Sequence, residues 1–407
     1  MDLLTIATVV LVISAFFSYL NVRFIKLPGT IGVVTISVTL SVIILVVGKS
    51  SNALNHTVSS LAGSINFSKV LLDVLLGFLL FASALHFDYN KLKEQKIPVL
   101  LLSTLGVLLS TAIFGTLFCL CTRLFHFQVP VIYCFVFGAL ISPTDPIAVS
   151  AIIKKSRIPS RLNTIISGES MFNDGVGLVL FVTLLRIAED PGTSFTFRQV
   201  GRLFFREVAG GIGLGLLAGY IAYRMIRAIR DYQTIFLISL ALVVSISLIA
   251  GNLDVSIPLA AVTAGLVVGN RNLDKEGKIM EFLKRIWQLI DDVLNTILFV
   301  LIGLQLVVMP ALHTYWLPGI FSILALLMAR LASVSLPAIF LLRKPNMKNL
   351  FILTWAGLRG GISIAMALSL PASPFREIIL AACYFIVIFS IIFQGLTLGK
   401  LVTRLTD

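Results

Sequence analysis

Charged residues are scarce in this 407-residue chain, where Asp, Glu, Lys and Arg together make up only 13% of the sequence. Hydrophobic residues make up 58%, and the mean hydropathy is +1.02. A soluble domain has too little interior to bury apolar side chains in that proportion. Because apolar runs of about 20 residues recur from Leu3 almost to the end, the sequence predicts an all-α membrane protein.

Cysteine and histidine are also scarce, with four residues of each type. The cysteines show no metal-binding spacing, so we interpret them as small packing residues. The histidines fall in loops or at the ends of apolar runs. Because neither residue type forms a metal-binding pattern, a transition-metal centre is disfavoured, and we expect no resident cofactor.

Apolar spans that could cross a membrane number thirteen, with ends defined to within several residues. A charged segment, 272–286, is predicted to lie on the cytoplasmic surface, and the first span is expected to be retained rather than cleaved. The predicted spans are about 3–20, 29–48, 67–86, 98–122, 130–152, 163–187, 206–223, 234–250, 255–269, 288–309, 316–342, 349–370 and 377–399.

The net charge of +13 is spread over alternate loops. Of the 32 basic residues, 22 fall in segments that would be cytoplasmic if the N-terminus lies outside, and eight fall in the opposite segments. This bias predicts a multi-pass protein of the cell (inner) membrane, with its N-terminus outside and its C-terminus in the cytoplasm. Nucleic-acid binding is disfavoured because no single face collects the positive charge.

Two spans contain helix-breaking residues near their centres. In span five, the run GALISPTDPIAV places Pro143 and Pro146 on either side of Thr144 and Asp145. Each proline removes a backbone donor and clashes with the preceding turn, so a continuous helix is not expected. In span twelve, the run TWAGLRGGISIAMALSLP surrounds Arg359 with glycines, which loosen the helix.

The positions of these two breaks indicate a transporter. Non-helical backbone at membrane depth must be buried in protein or line a wet cavity. Interrupted helices at corresponding places in two halves of a chain mark the midplane substrate site of secondary transporters. We therefore predict an inverted repeat that relates spans one to six to spans eight to thirteen, with span seven connecting them.

The stretch GESMFNDG, from Gly168 to Gly175, places polar groups in the middle of span six. A carboxylate at that depth costs roughly 2.5–3.5 kcal/mol, so it usually marks an ion or proton pathway. Asp174 lies near the centre of its span, as Asp145 does in span five. Carboxylate, hydroxyl and amide oxygens suit Na⁺, Li⁺ or K⁺. Because one carboxylate holds either a cation or a proton, this is the chemistry of an exchanger.

Two other functional classes fit parts of this pattern. An intramembrane aspartyl protease would use Asp145 and Asp174 as paired carboxylates, but a GxGD-type motif is missing and thirteen spans are too many. A cation channel would need a wet pore with repeated carbonyl or carboxylate rings. One carboxylate cluster between broken helices fits alternating access better, so we expect a transporter and not an enzyme.

Four motifs together resemble those of the NhaP-type sodium/proton antiporters, the branch of monovalent cation:proton antiporters related to the sodium/hydrogen exchangers. They are GESMFNDG in span six, PTDP in span five, WAGLRGGISIAMALSLP in span twelve and SIPLAAVTAGLVVGN in span nine. The likeness covers essentially the whole chain. It implies a homodimer whose core holds two crossed, discontinuous helices and which works by elevator-like alternating access.

The resemblance also implies how the chain is divided. The whole of 1–407 would form a single transmembrane antiporter domain. Its interface bundle would comprise about 1–97 and 234–309, its core bundle about 98–187 and 316–407, and its linker helix about 206–223. Its ligands would be a monovalent cation and a proton, and its surroundings the lipid bilayer.

For the site, the resemblance implies that Asp174 binds both the cation and the proton, among Asn173, Ser170, Thr144 and Asp145. Thr144 would contribute its backbone carbonyl and Ser170 a further ligand, so that Na⁺ would be held by Asp174, Ser170 and Thr144. Asp145 would hold the helix crossing. Asn173 stands where electrogenic relatives carry a second aspartate, which implies electroneutral exchange of one cation for one proton.

A buried ion pair between Glu169 and Arg359 is also implied by the resemblance, as a support of the core. Two further charged residues have two interpretations each. Asp73 is either part of the cation site or a charge at the interface or at a helix start. Arg330 is either a structural partner of a carboxylate or helix end, or a residue that tunes transport.

Overall fold

The computed structural model describes residues 3–47, 67–145, 158–189, 197–274, 276–307, 309, 314–341 and 346–406. Every regular element in these ranges is a helix, which confirms the predicted all-α fold class. Helices suit such an apolar sequence because each one satisfies its own backbone hydrogen bonds without water.

The helices are numbered in chain order. They are α1 (Leu3–Leu20), α2 (Gly29–Val47), α3 (Phe67–His86), α4 (Tyr89–Glu94), α5 (Lys96–Ser103), α6 (Leu105–Leu124), α7 (Val131–Ile141), α8 (Ser160–Glu189), α9 (Phe197–Arg227), α10 (Tyr232–Asn252), α11 (Ile257–Gly269), α12 (Lys278–Val307), α13 (Trp316–Leu341), α14 (Met347–Trp355), α15 (Gly361–Leu368), α16 (Arg376–Ile388) and α17 (Gly395–Thr406).

Helices long and apolar enough to cross a membrane number nine within the described residues. Shorter apolar helices cover Gly29–Leu45, Val131–Ile141 and Ile257–Gly269. The predicted total of thirteen membrane crossings stays a prediction. The second half of the charged segment 272–286 forms the first turns of the 30-residue helix α12, and its cytoplasmic location stays a prediction.

Three stretches of the described chain are π-helical: Asn21–Ile25 after α1, Val70–Leu75 within α3, and Phe389–Gln394 between α16 and α17. π-helical turns are rare and frequently occur at functional sites. Asp73 lies in the second stretch, but its side chain is outside the described residues. Both interpretations of Asp73 therefore stay predictions.

Two sets of helices pack closely together. In the first set, α11 packs against α3 and α9, and α12 packs against α2. In the second set, α6 packs against α7 and α13, α13 packs against α16, and α8 packs against α5 and α7. Helix α8 also contacts α11, so the long polar helix lies where the two sets meet.

A small-residue seam on α9 brings that helix close to α11. A Cβ atom on Gly215 would lie 2.4 Å from the carbonyl oxygen of Ala260, and one on Gly211 would lie 2.7 Å from that of Ser256. A Cβ atom on Gly219 would lie 2.9 Å from the Cα atom of Ala264. Glycines at a spacing of four residues allow two membrane helices to approach at backbone distance.

We expect Gly215→Ala to lower the melting temperature of the purified protein in detergent, because the added methyl group would push α9 away from α11. Gly213→Ala is the matched control, since a Cβ atom there would meet nothing within 4 Å. A loss from Gly215→Ala no larger than that from Gly213→Ala would contradict the close approach of the two helices.

A candidate cation site where two broken helices meet

The first break interrupts span five. Helix α7 ends at Ile141, and the backbone from Ser142 to Asp145 is not helical. Pro143 explains the end of the helix, because it cannot donate the next backbone hydrogen bond and its ring clashes with the preceding turn. Pro146, the second predicted helix breaker, lies outside the described residues.

The second break interrupts span twelve. Helix α14 ends at Trp355, and α15 begins at Gly361. The side chain of Gln394 donates a hydrogen bond to the carbonyl oxygen of Trp355 at 3.5 Å, and accepts one from the hydroxyl of Ser390 at 2.6 Å. The π-helical stretch Phe389–Gln394 thus supplies polar groups to backbone that the break leaves without helical partners.

The two breaks touch each other. The backbone N–H of Asp145 donates a hydrogen bond to the carbonyl oxygen of Leu358 at 2.8 Å. A Cβ atom on Gly360 would lie 2.0 Å from a carboxylate oxygen of Asp145, so only glycine permits this contact. Asp145 therefore lies where the two breaks contact each other, and its role in holding the crossing stays a prediction.

Arg359 fixes the first break through its side chain. Its guanidinium is fully buried and donates hydrogen bonds to the carbonyl oxygens of Ser142 at 2.7 Å and Pro143 at 2.9 Å. Its backbone N–H donates to the hydroxyl of Ser390 at 2.8 Å. These carbonyls follow the C-terminal end of α7, where orphaned carbonyls and the helix dipole both favour a cation.

The predicted Glu169–Arg359 ion pair is wrong, because Glu169 pairs with Arg330. The guanidinium of Arg330, on α13, donates from Nη1 to Oε1 of Glu169 and from Nη2 to Oε2 at 2.9 Å. Arg330 Nη2 also donates to the carbonyl oxygen of Leu353 at 3.3 Å, near the end of α14. The two buried arginines therefore have different partners: Arg330 contacts a carboxylate, and its role in tuning transport stays a prediction.

Gly357 makes room for this ion pair. A Cβ atom on Gly357 would lie 2.5 Å from Nε of Arg330. The pair is bidentate, with two hydrogen bonds between the side chains. The side chains of Arg330 and Glu169 are 7% and 1% exposed, so the pair is almost fully removed from water. A bidentate arginine–carboxylate pair can be held in such a place because its hydrogen bonds offset the loss of hydration.

Thr144 connects the first break to α8. Its backbone N–H donates to Oδ1 of Asn173 at 3.3 Å, and its hydroxyl accepts a hydrogen bond from Nδ2 of Asn173 at 2.8 Å. The Thr144 and Ser170 hydroxyls are 2.8 Å apart. The amide of Asn173 therefore holds Thr144 by two hydrogen bonds, one through its oxygen and one through its nitrogen.

Asp174 lies beside this cluster with one oxygen unsatisfied. Its side chain is 1% exposed, and Oδ2 has no hydrogen-bond partner in the part of the chain that the structure describes. Asp174 lines a cavity of about 20 Å³ together with Pro143, Thr144 and Asp145. Asp145 and Arg359 have opposite electrostatic effects on Asp174: the carboxylate disfavours a negative charge there, and the guanidinium favours one. A buried carboxylate oxygen in this setting gains stability by taking up a proton or a cation.

Sequence reasoning missed Asn295 on α12, which lines the same cavity and is fully buried. Its position in span ten carried one signal, since it is an amide just before the apolar stretch 297–304. Leu76, Leu79, Leu80 and Ser83 of α3 also line the cavity. The cavity thus lies between the two breaks, α8 and the helices α3 and α12.

Two broken helices that touch at their breaks, beside a buried carboxylate with an unsatisfied oxygen, define a secondary transporter for a small ion. The sequence pattern described as "Sodium/hydrogen exchanger, transmembrane" matches residues 11–404. This chain belongs to the sodium/hydrogen exchanger family. The predicted NhaP-type resemblance is thereby confirmed, and the protein is a transporter rather than an enzyme.

Individual relatives agree with this assignment. The chain is 40% identical to the Na⁺/H⁺ antiporter NhaP of Pseudomonas aeruginosa, over 99% of this chain and 97% of that protein. It is 31% identical to the Na⁺/H⁺ antiporter NhaH of Halobacillus dabanensis, over 83% of this chain and 84% of that protein. Neither the cation-channel nor the aspartyl-protease alternative is supported by these relatives.

A solved structure shows the same fold. The sodium proton antiporter MjNhaP1 from Methanocaldococcus jannaschii matches with a TM-score of 0.80 at 19% sequence identity. The match covers 100% of this chain and 99% of that chain. The two discontinuous helices are thus part of a fold shared over the whole chain.

We expect Arg330→Ala to destabilise the protein by about 3–5 kcal/mol, because the variant leaves the Glu169 carboxylate buried without its partner. Glu169→Ala should cost a similar amount. The double variant should recover part of the loss, since no unpaired charge remains. The measurement is a double-mutant cycle on thermal unfolding in detergent.

The matched cycle combines Glu169→Ala with Arg359→Ala. Because Arg359 binds backbone carbonyls and not Glu169, these two losses should be closer to additive. A coupling between Glu169 and Arg359 as large as that between Glu169 and Arg330 would show that the ion pair is assigned to the wrong arginine.

Proposed function

We propose that this protein is an antiporter that exchanges Na⁺ for H⁺ across the membrane, with Li⁺ and K⁺ as possible alternative cations. The observation that supports it is the unsatisfied, buried oxygen of Asp174 beside the contact of two broken helices. This one carboxylate would bind the cation and the proton in turn, so that each ligand leaves before the other binds. Flux of one would then be coupled to flux of the other.

The cation would be held by Asp174 together with Ser170 and the backbone carbonyl of Thr144, with Asp145 adjoining. The hydrogen bonds among Thr144, Ser170 and Asn173 support this proposal, because they hold the hydroxyl oxygens in place beside the carboxylate. Hydroxyl and carbonyl oxygens are suitable ligands for hard cations. Asn173 would position Thr144 and carry no proton.

We further propose that the site is exposed to alternate sides by movement of a core bundle against an interface bundle in a homodimer. The core bundle would contain both breaks and α8, and the interface bundle would contain α3 and α12. The position of the cavity supports this division, since it is lined by residues from both sets of helices. The proposed orientation, N-terminus outside and C-terminus in the cytoplasm, follows from the distribution of basic residues.

Asp174→Asn should abolish Na⁺-driven proton movement while leaving folded protein in the membrane, because the amide cannot take up the proton and so cannot exchange it for the cation. The measurement is proton release from everted vesicles or proteoliposomes on addition of NaCl, LiCl or KCl in turn. Asp88→Asn, at the exposed start of α4, is the matched control. Because asparagine caps helices as well as aspartate does, this control should keep wild-type activity.

Retention of more than a small fraction of the flux in Asp174→Asn would contradict the proposed role of Asp174. Loss of flux in both variants would point instead to a general effect of the substitution.

Exchange should be electroneutral, because Asn173 cannot titrate and Glu169 is paired with Arg330. The membrane potential is worth about 2.3 kcal/mol per elementary charge per 100 mV, so it should neither drive nor oppose a one-for-one exchange. The measurement is the Na⁺-driven pH change in proteoliposomes under K⁺/valinomycin potentials of either sign. A clear dependence on potential would require a second proton carrier, with Asp145 or Asp73 as the first residues to test.

A further inference from the structure

We infer that Asn295 supplies a side-chain oxygen to the transported cation, as a ligand that binds the cation but takes no part in carrying the proton. The inference rests on the proposed function, because it assigns a further ligand to the same site. It adds a residue from α12, a helix that contains neither break.

The orientation of the Asn295 amide is fixed by its nitrogen. Nδ2 donates hydrogen bonds to the backbone carbonyl of Asp291 at 2.8 Å and to its Oδ1 at 3.1 Å. Both acceptors are oxygens, so an amide turned the other way would place oxygen against oxygen. The amide nitrogen of Asn295 therefore faces Asp291, and the amide oxygen, Oδ1, points away from these two acceptors.

The Oδ1 atom of Asn295 is buried and has no hydrogen-bond partner among the described residues. The contact with Asp291 accounts for the nitrogen but leaves the oxygen unexplained. A buried acceptor without a partner is destabilising, so its presence needs a reason. Two such oxygens, Asn295 Oδ1 and Asp174 Oδ2, belong to residues that line one cavity of about 20 Å³.

Because the residues that carry these two oxygens line the same small cavity, a cation bound there would provide a partner for both. A carboxylate and an amide oxygen are both suitable ligands for an alkali cation. A proton, in contrast, is held by Asp174 alone, because a neutral amide oxygen is not basic enough to compete for it. Asn295 should therefore contribute to the affinity for the cation and leave the affinity for the proton unchanged.

This assignment predicts which kinetic constant changes in Asn295→Ala. At saturating Na⁺ the maximal exchange rate should stay within about twofold of the wild type, while the KM for Na⁺ should rise at least about tenfold, the factor that corresponds to about 1.4 kcal/mol. The pH at which protons begin to raise KM should not move, since it reports proton competition at Asp174. A residue with a purely structural role would lower the maximal rate or change both constants together.

The experiment compares the wild type, Asn295→Ala, Asn295→Ser and Thr296→Val in proteoliposomes, with KM for Na⁺ measured over a range of pH. Asn295→Ser keeps an oxygen and should lie between the wild type and Asn295→Ala, and it provides the test if Asn295→Ala does not fold. Thr296→Val is the control, because the Thr296 hydroxyl donates to the carbonyl of Asp292 on its own helix. It should behave like the wild type.

Cation binding is measured separately by the rise in melting temperature when NaCl replaces choline chloride at constant ionic strength. The wild type should be stabilised by Na⁺, and Asn295→Ala should need about ten times more Na⁺ for the same shift. An unchanged KM and an unchanged melting shift in Asn295→Ala, with an active wild type, would overturn the inference. An inactive wild type that is still stabilised by Na⁺ would instead count against the proposed exchange, and the melting comparison would then decide the role of Asn295.

Discussion

The hydrogen bonds from the Arg359 guanidinium to the carbonyl oxygens of Ser142 and Pro143 are the interaction on which the site depends. Arg359 belongs to one break and its acceptors to the other, so a single side chain joins the two interrupted helices. Hydrogen bonds to a charged group contribute about 1.5–3 kcal/mol each, more than neutral ones. They also provide partners for backbone carbonyls that would otherwise be unsatisfied at membrane depth.

The two buried arginines have separate partners, and neither hydrogen-bonds to the free oxygen of Asp174. Arg330 neutralises Glu169 and binds the carbonyl of Leu353, whereas Arg359 donates from one nitrogen, Nη1, to two carbonyls at the first break. Neither arginine donates a hydrogen bond to Oδ2 of Asp174, which has no partner in the described chain. In the proposed function this oxygen is the one that would exchange ligands, while the other polar groups would position the carboxylate.

Hydropathy and local chemistry predicted the fold class and the position of both breaks, because apolar length, proline and glycine act on the backbone close to where they occur. The motif around Asn173 and Asp174 could also be predicted as a candidate site from its depth in a span. The Glu169–Arg330 pair could not be predicted, since both Arg330 and Arg359 lie within apolar spans and either could face Glu169. The position of Asn295 at the cavity could not be predicted either, because no local pattern shows which side of α12 faces the breaks in other helices.

The sequence by itself determined that the chain is a bundle of membrane helices, that two of them are interrupted, and that a carboxylate lies near mid-membrane. These properties depend on short-range energetics, namely the transfer of side chains into lipid and the hydrogen bonding of each helix. The tertiary structure alone decided which arginine pairs with Glu169, that the breaks touch at Asp145 and Leu358, and that Asn295 joins Asp174 at one cavity. Such contacts join residues far apart in the chain, and they depend on how helices rotate and pack, which no local pattern specifies.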